Sequence, residues 1–448
     1  MQRRSFVKNS VLASAGFSIL PSSSLFAQQQ KIKLGFIGVG LRGQDHLEMA
    51  LRRNDTDVIA ICDIDDRMLG MATKKIKDFN KPAPKIFTGD PYAWRRLLEL
   101  KELDAVLIAT PWEWHAPMCI ESLQAKKYVA TEVMLGITLQ DHWNVVKACE
   151  ENNGNLMMLE NVCYRRDVMA ILNMVRQGMF GELLHLQGGY QHDLRGVKFN
   201  DGKQAYGGGV DFGEKGFSEA RWRTNHSVYR NGDLYPTHGI GPIAQMLNIN
   251  KGNRFLSLSS FATKARGLHN YIVEKGGANH PNASVQFALG DVVTTSIKCF
   301  NGETILLQHD TSLPRPYSLG FRVQGTKGIW MDLNKSLYIE GVSKTNDQWE
   351  DAAPYLKQYD HPLWKKYSSS AEGAGHGGMD FFVFQAFVES VKQRTKTPMD
   401  IYDAAAWSAI TPLSEQSIEL GNQTVDFPDF SGGRWMQTRN IFAMNDEY

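Results

Sequence analysis

No stretch of the chain approaches the roughly 18 uninterrupted apolar residues needed to cross a bilayer, so a transmembrane segment is not expected. Cysteine is scarce: five in 448 residues, an odd number with no C-x-x-C pair. That argues against a disulfide scaffold or a thiolate metal site, and Cys62, Cys119, Cys149, Cys163 and Cys299 read as buried thiols. No H-E-x-x-H or comparable ligand cluster occurs, so no metal is expected. An excess of one charge is also missing. With 49 basic and 48 acidic residues the net charge is +1, which gives no general electrostatic hold on nucleic acid. What is present is a globular composition, 42% hydrophobic and 22% charged, long enough for two or three domains at about 150 residues each.

The N-terminus carries Arg3-Arg4, Phe6 and Lys8 ahead of a weakly apolar stretch and Ala27. This pattern resembles a twin-arginine signal over residues 1–27, with a Sec signal as the alternative reading. The expectation is export as a folded chain to the periplasm or beyond, with a cytosolic cofactor already loaded.

Short apolar runs at 31–38, 58–62, 105–109, 128–131 and 156–159 alternate with helix-like segments at 46–53, 67–79 and 139–150. Strands alternating with helices predict a doubly wound parallel sheet over 31–164. Beyond Tyr164 a helical stretch at 165–180 precedes strand-like runs at 183–190, 255–262, 285–289, 292–300, 304–309 and 320–324. These predict a second α/β domain, 165–448, with a largely antiparallel open sheet and two C-terminal helices at 379–394 and 401–420. Residues 200–233, rich in Gly, Arg and aromatics, read as a long functional loop.

Gly38, Gly40 and Gly43 form G-x-G-x-x-G after the first strand, and Asp63 stands 20 residues after Gly43, closing the second strand. This is the spacing of a Rossmann dinucleotide site. The first glycine permits a tight turn, the second a close approach of pyrophosphate to the helix N-terminus, and the third close packing of helix on sheet. Asp63 can bind ribose hydroxyls and would repel a 2′-phosphate, favouring NAD. Thr110 to His115 follow another strand as a loop, where Trp112 and Trp114 could offer a flat surface to nicotinamide or sugar; an interface anchor is the alternative role.

The Gly loop, the Thr110-Pro111 step and Met174 to Glu182 resemble the Gfo/Idh/MocA oxidoreductases. A narrower resemblance, to glycoside hydrolase family 109, covers Lys31 to Trp435. It is carried by Glu160 to Asp167, Gly189 to Arg195, Trp222 to His226, Tyr235 to Gly239, His309 to Tyr317 and Gly373 to Gly378. Sugar dehydrogenases of the wider superfamily usually carry Glu-Lys-Pro after the fifth strand. Here Thr131-Glu132-Val133-Met134 stands instead, without the Lys.

The resemblance implies an NAD-dependent α-N-acetylgalactosaminidase. It points to Leu41, Arg42, Asp63, Trp112, Glu113, Trp114, His115, Glu132, Val133 and Asn161 for NAD. For sugar it points to Tyr190, Arg223, Tyr235, Pro236, Thr237, His238 and Tyr317. The implied reaction oxidises sugar C3, eliminates the glycosidic bond after loss of the C2 proton, adds water and reduces C3 again. His238 is the first candidate base and Tyr190 the second, its phenol lowered by Arg223 or His192. Tyr317 or Arg223 would steady the enolate oxygen. Glu160 is a buried polar candidate near the nicotinamide end. His226, His280 and His361 read as structural, and His376 as a lid, a substrate contact or a turn. The rival readings are a sugar dehydrogenase on the same fold and a non-catalytic sugar or NAD sensor. A glycan is the expected partner, and self-association through the open sheet is compatible with the sequence.

Overall fold

The computed structural model describes residues 31–448, so the expected signal at 1–27 lies outside the described residues. The first unit is a six-stranded parallel sheet in the order β3-β2-β1-β4-β5-β6. Its strands are β1 (Ile32–Ile37), β2 (Thr56–Cys62), β3 (Lys85–Phe87), β4 (Ala105–Ile108), β5 (Tyr128–Thr131) and β6 (Leu156–Met158). Every residue of β4 is buried, as expected for a central strand covered on both faces. Helices α1 (Leu41–Leu51), α2 (Asp66–Asp78), α3 (Trp94–Leu98), α4 (Trp112–Gln124) and α5 (Leu139–Glu151) make the crossovers. Asp65 caps α2 by accepting the Arg67 N–H at 2.9 Å, and Thr138 with Asp141 forms a capping box on α5.

The second unit is built on a nine-stranded sheet, ordered β14-β13-β12-β11-β7-β10-β9-β8-β15. Its strands are β7 (Leu183–Gln191), β8 (Phe255–Ala262), β9 (Val292–Cys299), β10 (Thr304–Asp310), β11 (Arg322–Gly325), β12 (Gly328–Met331), β13 (Ser336–Ile339), β14 (Glu350–Asp351) and β15 (Val425–Asp426). Only the β7–β10 pair is parallel; the other named pairs are antiparallel. Helix Thr237–Met246 lies on β7 at very short range. A Cβ on Gly239 would come 2.4 Å from the Gly189 nitrogen, and one on Gly188 would come 2.8 Å from the Gly239 oxygen. Glycines at both faces let the two backbones touch, which brings His238 beside Tyr190.

The chain then returns to the first unit. Helix Met379–Gln393 packs on α1 and β1, and helix Ile401–Glu419 packs on α5, β6 and β8. The Met158 N–H donates to the Met399 carbonyl at 3.1 Å, extending the edge of the parallel sheet.

Two local expectations are corrected. Residues 285–289 alternate in polarity but form no strand, because the Ala288 and Leu289 N–H groups donate to Val228 and Ser227, at the end of helix Arg223–Tyr229. Residues 112–115 are the first turn of α4, not a loop.

Candidate active site

A cavity of about 560 Å³ opens beyond the carboxyl ends of β1, β2, β4 and β5 and runs to the second unit. That is where ligands sit in open α/β sheets, at the point where strand order reverses. At its floor Gly38 has φ +88°, and a Cβ there would come 2.5 Å from the Ala109 carbonyl oxygen. A Cβ on Gly43 would lie 2.3 Å from the Gly38 oxygen, whereas one on Gly40 would meet nothing within 4 Å. The turn is therefore packed on its protein side and open on its cavity side, as a helix N-terminus receiving a pyrophosphate requires. Asp63 Oδ2 accepts the Val39 N–H at 2.8 Å and Oδ1 the Asp65 N–H at 2.9 Å, which fixes the carboxylate at the cavity wall. Burial raises its pKa against those bonds. The donor-rich turn, the acid after β2 and the open volume together fit a dinucleotide with an unsubstituted ribose.

Leu41, Arg42, Trp112, Trp114, His115, Glu132, Val133 and Asn161 all line this cavity, as do Tyr190, Arg223, Tyr235 and His238. Several are already committed to one another. Arg42 Nε donates to Glu132 Oε1 at 2.6 Å, and its Nη1 and Nη2 donate to Asp380 at 2.8 and 3.0 Å. His46 Nε2 donates to Glu132 Oε1 at 2.5 Å, and Asn161 Nδ2 donates to Asp380 Oδ1 at 2.8 Å. Burial works to raise the Glu132 carboxyl, but Arg42 and His46 overcome it and hold it down at about 2. Both His115 ring nitrogens face carbonyl oxygens, Met134 at 2.5 Å and Thr110 at 2.8 Å, so that ring ties the two strand ends together.

At the far end His238 Nδ1 lies 2.8 and 2.9 Å from the two oxygens of the fully buried Glu160. Gly241, one turn on, leaves the room: a Cβ there would come 2.9 Å from Glu160 Cγ. Tyr190 and Tyr235 stand edge-on to the imidazole, with ring centroids 5.1 and 4.9 Å away. Arg223 lies over the Tyr235 ring at 4.8 Å and is held by Glu219 at 2.5 Å. Arg223 does act to lower the Tyr190 phenol, as expected, but burial outweighs it and pushes the group up to about 12. A phenol so shifted keeps its proton near neutral pH and can donate a hydrogen bond.

Other expected residues stand off the cavity wall. Glu113 pairs with His226 at 3.2 Å, Tyr317 packs edge-on to His192 and is 48% exposed, and Pro236 and Thr237 are the buried start of their helix. Trp112 combines both roles weighed for it, lining the cavity while packing edge-on to Trp222 and tilted against Tyr235 of the second unit.

His376 was weighed as a lid, a substrate contact or a turn but not assigned to the site, and Asp380 was missed. His376, in the glycine-rich turn before helix Met379–Gln393, lines the cavity and bonds Asp380 at 2.8 Å. That hydrogen bond raises its pKa. Asp380, an acid buried in the apolar stretch Met379-Asp-Phe-Phe-Val, carried a signal in its very placement. Asp45, His376 and Asp380 also come close enough to hold a cation. The Arg42 guanidinium already fills that role, 3.7 Å from Asp45 and 2.8 Å from Asp380.

Residues 32–160 match the oxidoreductase family NAD-binding Rossmann fold, and residues 164–437 match the glycosyl hydrolase 109 C-terminal domain. A glycosyl hydrolase family 109 protein of Stenotrophomonas maltophilia (strain K279a) is 58% identical over 100% of this chain and 99% of its own length. The chain belongs to glycosyl hydrolase family 109. A second relative, an alpha-N-acetylgalactosaminidase of Tannerella forsythia, is 51% identical over 92% of this chain and 89% of its own. A levoglucosan dehydrogenase solved with NADH and levoglucosan shares the fold at TM-score 0.62 and 18% identity, covering 89% of this chain and 100% of that one. This family 109 chain is therefore a glycosidase-family protein on an NAD-type Rossmann domain.

Proposed function

We propose that the protein is an exported α-N-acetylgalactosaminidase that works with a resident NAD. The observation that carries the reading is one continuous cavity, joining the Gly38–Asp63 end to a His238–Glu160 pair and to His376. Gly38, Gly40 and Asp63 would hold the dinucleotide, with the Arg42–Glu132 pair and Asn161 shaping the wall toward the sugar. When bound, it supplies a hydride acceptor at the sugar that returns the hydride before product leaves.

The chain's own residues manage the protons. Glu160 accepts a hydrogen bond from the Nδ1–H of His238, which keeps the proton on that nitrogen, so Nε2 presents a lone pair to a substrate hydroxyl. Tyr190 and Tyr235, kept protonated by burial, donate hydrogen bonds to sugar oxygens. Arg223 adds a fixed positive charge above Tyr235, where an oxyanion would develop. His376, whose pKa Asp380 raises through their hydrogen bond, can deliver a proton to the departing glycosidic oxygen. The lack of a Lys at Glu132-Val133-Met134 weighs against a plain sugar dehydrogenase. Asp63 and Asp65 place two carboxylates at the ribose end, which would repel a 2′-phosphate, and the nearby Arg67 and Arg221 are paired with Asp65.

The test is to purify the mature chain without added cofactor, identify any released nucleotide, and assay an aryl α-N-acetylgalactosaminide in deuterated water. The expected result is cleavage with no net NADH and deuterium at C2 of the product. Accumulating NADH without glycoside cleavage would favour the dehydrogenase instead.

A further inference from the structure

Two segments from different units meet over the Asp63 end of the cavity. One is the turn from β2 into α2; the other is residues 213–222 of the second unit. The Arg67 guanidinium lies 4.1 Å from the centroid of the Phe217 ring. Arg221 Nη1 lies 3.8 Å from Asp65 Oδ2. Asp63, Ile64 and Asp65 from one side and Ser218, Glu219 and Arg221 from the other line the same cavity.

The 213–222 segment contains only short 3₁₀ turns and belongs to neither sheet, yet Phe217 is only 8% exposed. Asn200 seats it. The fully buried Asn200 amide accepts the Phe217 N–H at 3.0 Å and donates to the Phe217 carbonyl at 2.8 Å, so it pairs with that residue as a neighbouring strand would. Ser218 follows in the left-handed region at φ +53°, a conformation that persists in a non-glycine residue where its surroundings over-determine it.

We propose that Phe217, seated by Asn200 and covered by Arg67, is the residue that keeps the dinucleotide from leaving. The inference rests on the NAD reading above. For a ligand held at Gly38 and Asp63 to depart past this end, the segment must lift. Lifting breaks the cation–π contact, exposes the Phe217 ring and opens the Asn200 pairing. A slow exit suits a catalyst whose cofactor ends each turnover in its starting state.

The full-length mature protein and three variants, Arg67→Gln, Phe217→Ala and Asn200→Ala, would be purified without added nucleotide. Dinucleotide per chain would be measured by mass spectrometry after extraction, and its release rate by dilution into a trap of unlabelled NAD. Wild type is expected to retain it. Arg67→Gln should speed release ~2–5-fold, as loss of an exposed cation–π contact predicts. Phe217→Ala should speed it ~10-fold or more. Wild type holding nucleotide while Arg67→Gln and Phe217→Ala release it at the same rate overturns the role of Phe217 and leaves NAD dependence standing. Wild type with no nucleotide and no saturable NAD binding overturns the NAD reading itself. Arg67 lies on the surface, so its variant remains informative even where the two buried substitutions fail to fold.

Discussion

His238 Nδ1 sits 2.8 and 2.9 Å from the two oxygens of Glu160, a hydrogen-bonded pair formed between the end of the first unit and the first turn of helix Thr237–Met246. The carboxylate decides which ring nitrogen carries the proton. In Glu160→Gln the amide NH₂ can donate to Nδ1 instead, moving the imidazole proton to Nε2 and removing the lone pair that faces the cavity. The expected loss in kcat/KM is ~100-fold, with little change in melting temperature because shape and volume are kept. Steady-state kinetics with an aryl glycoside, paired with calorimetry, checks this; undiminished turnover would remove the pair from the mechanism.

Asp380 raises the His376 pKa through their hydrogen bond. A general acid loses rate as pH rises through its own pKa, so activity should fall on the alkaline side. Asp380→Asn takes away the raising partner and should move that alkaline limb toward lower pH. His376→Ala should cost ~100-fold or more on a poor alkyl leaving group, and much less on a nitrophenyl leaving group, which needs no protonation. Equal losses on both substrates would deny His376 this role.

Arg42 lies between Glu132 and Asp380. Burial works against both carboxylates, yet Arg42 and the histidines hold Glu132 down at about 2 and Asp380 well below the usual carboxylate range. Depressed folded-state values give stability that is present above the unfolded carboxyl pKa of ~4 and is lost as pH falls below it. Arg42→Gln leaves two carboxylates without their shared cation. Destabilisation of ~3–5 kcal/mol is expected, together with an acid-unfolding midpoint shifted to higher pH. Circular dichroism across pH 2–7 reads both effects.

The Tyr190 phenol, pushed up to about 12 by burial, should not titrate in the working range. Tyr190→Phe is expected to lower kcat/KM by ~10–100-fold without moving either limb of the pH profile between about 5 and 9. A limb that vanishes in the variant would return Tyr190 to the role of base.

Much of this site was legible in local sequence because its parts are local. The Gly38-x-Gly40-x-x-Gly43 turn and Asp63 are fixed by one strand–helix–strand unit, and the alternation of short apolar runs with helical segments gave the parallel sheet. Residues 285–289 misled because alternation reports a half-buried extended chain, not a partner strand; here the partner is a helix end. The short strands β12 to β15 went unread since each has four residues or fewer, too few for a period to register. Asp380 escaped, and His376 stayed undecided, for another reason. Their partners Arg42 and Asn161 lie more than 200 residues away in sequence, and no periodicity encodes such a pairing.

The return of helix Met379–Gln393 to α1 sets an order of events in the cell. The ribosome must have made most of the chain before the Arg42 guanidinium can meet its buried acid. A nascent first unit, however well formed, is still an unfinished receptacle, and a fragment cut short before Asp380 would leave that guanidinium without its bidentate partner.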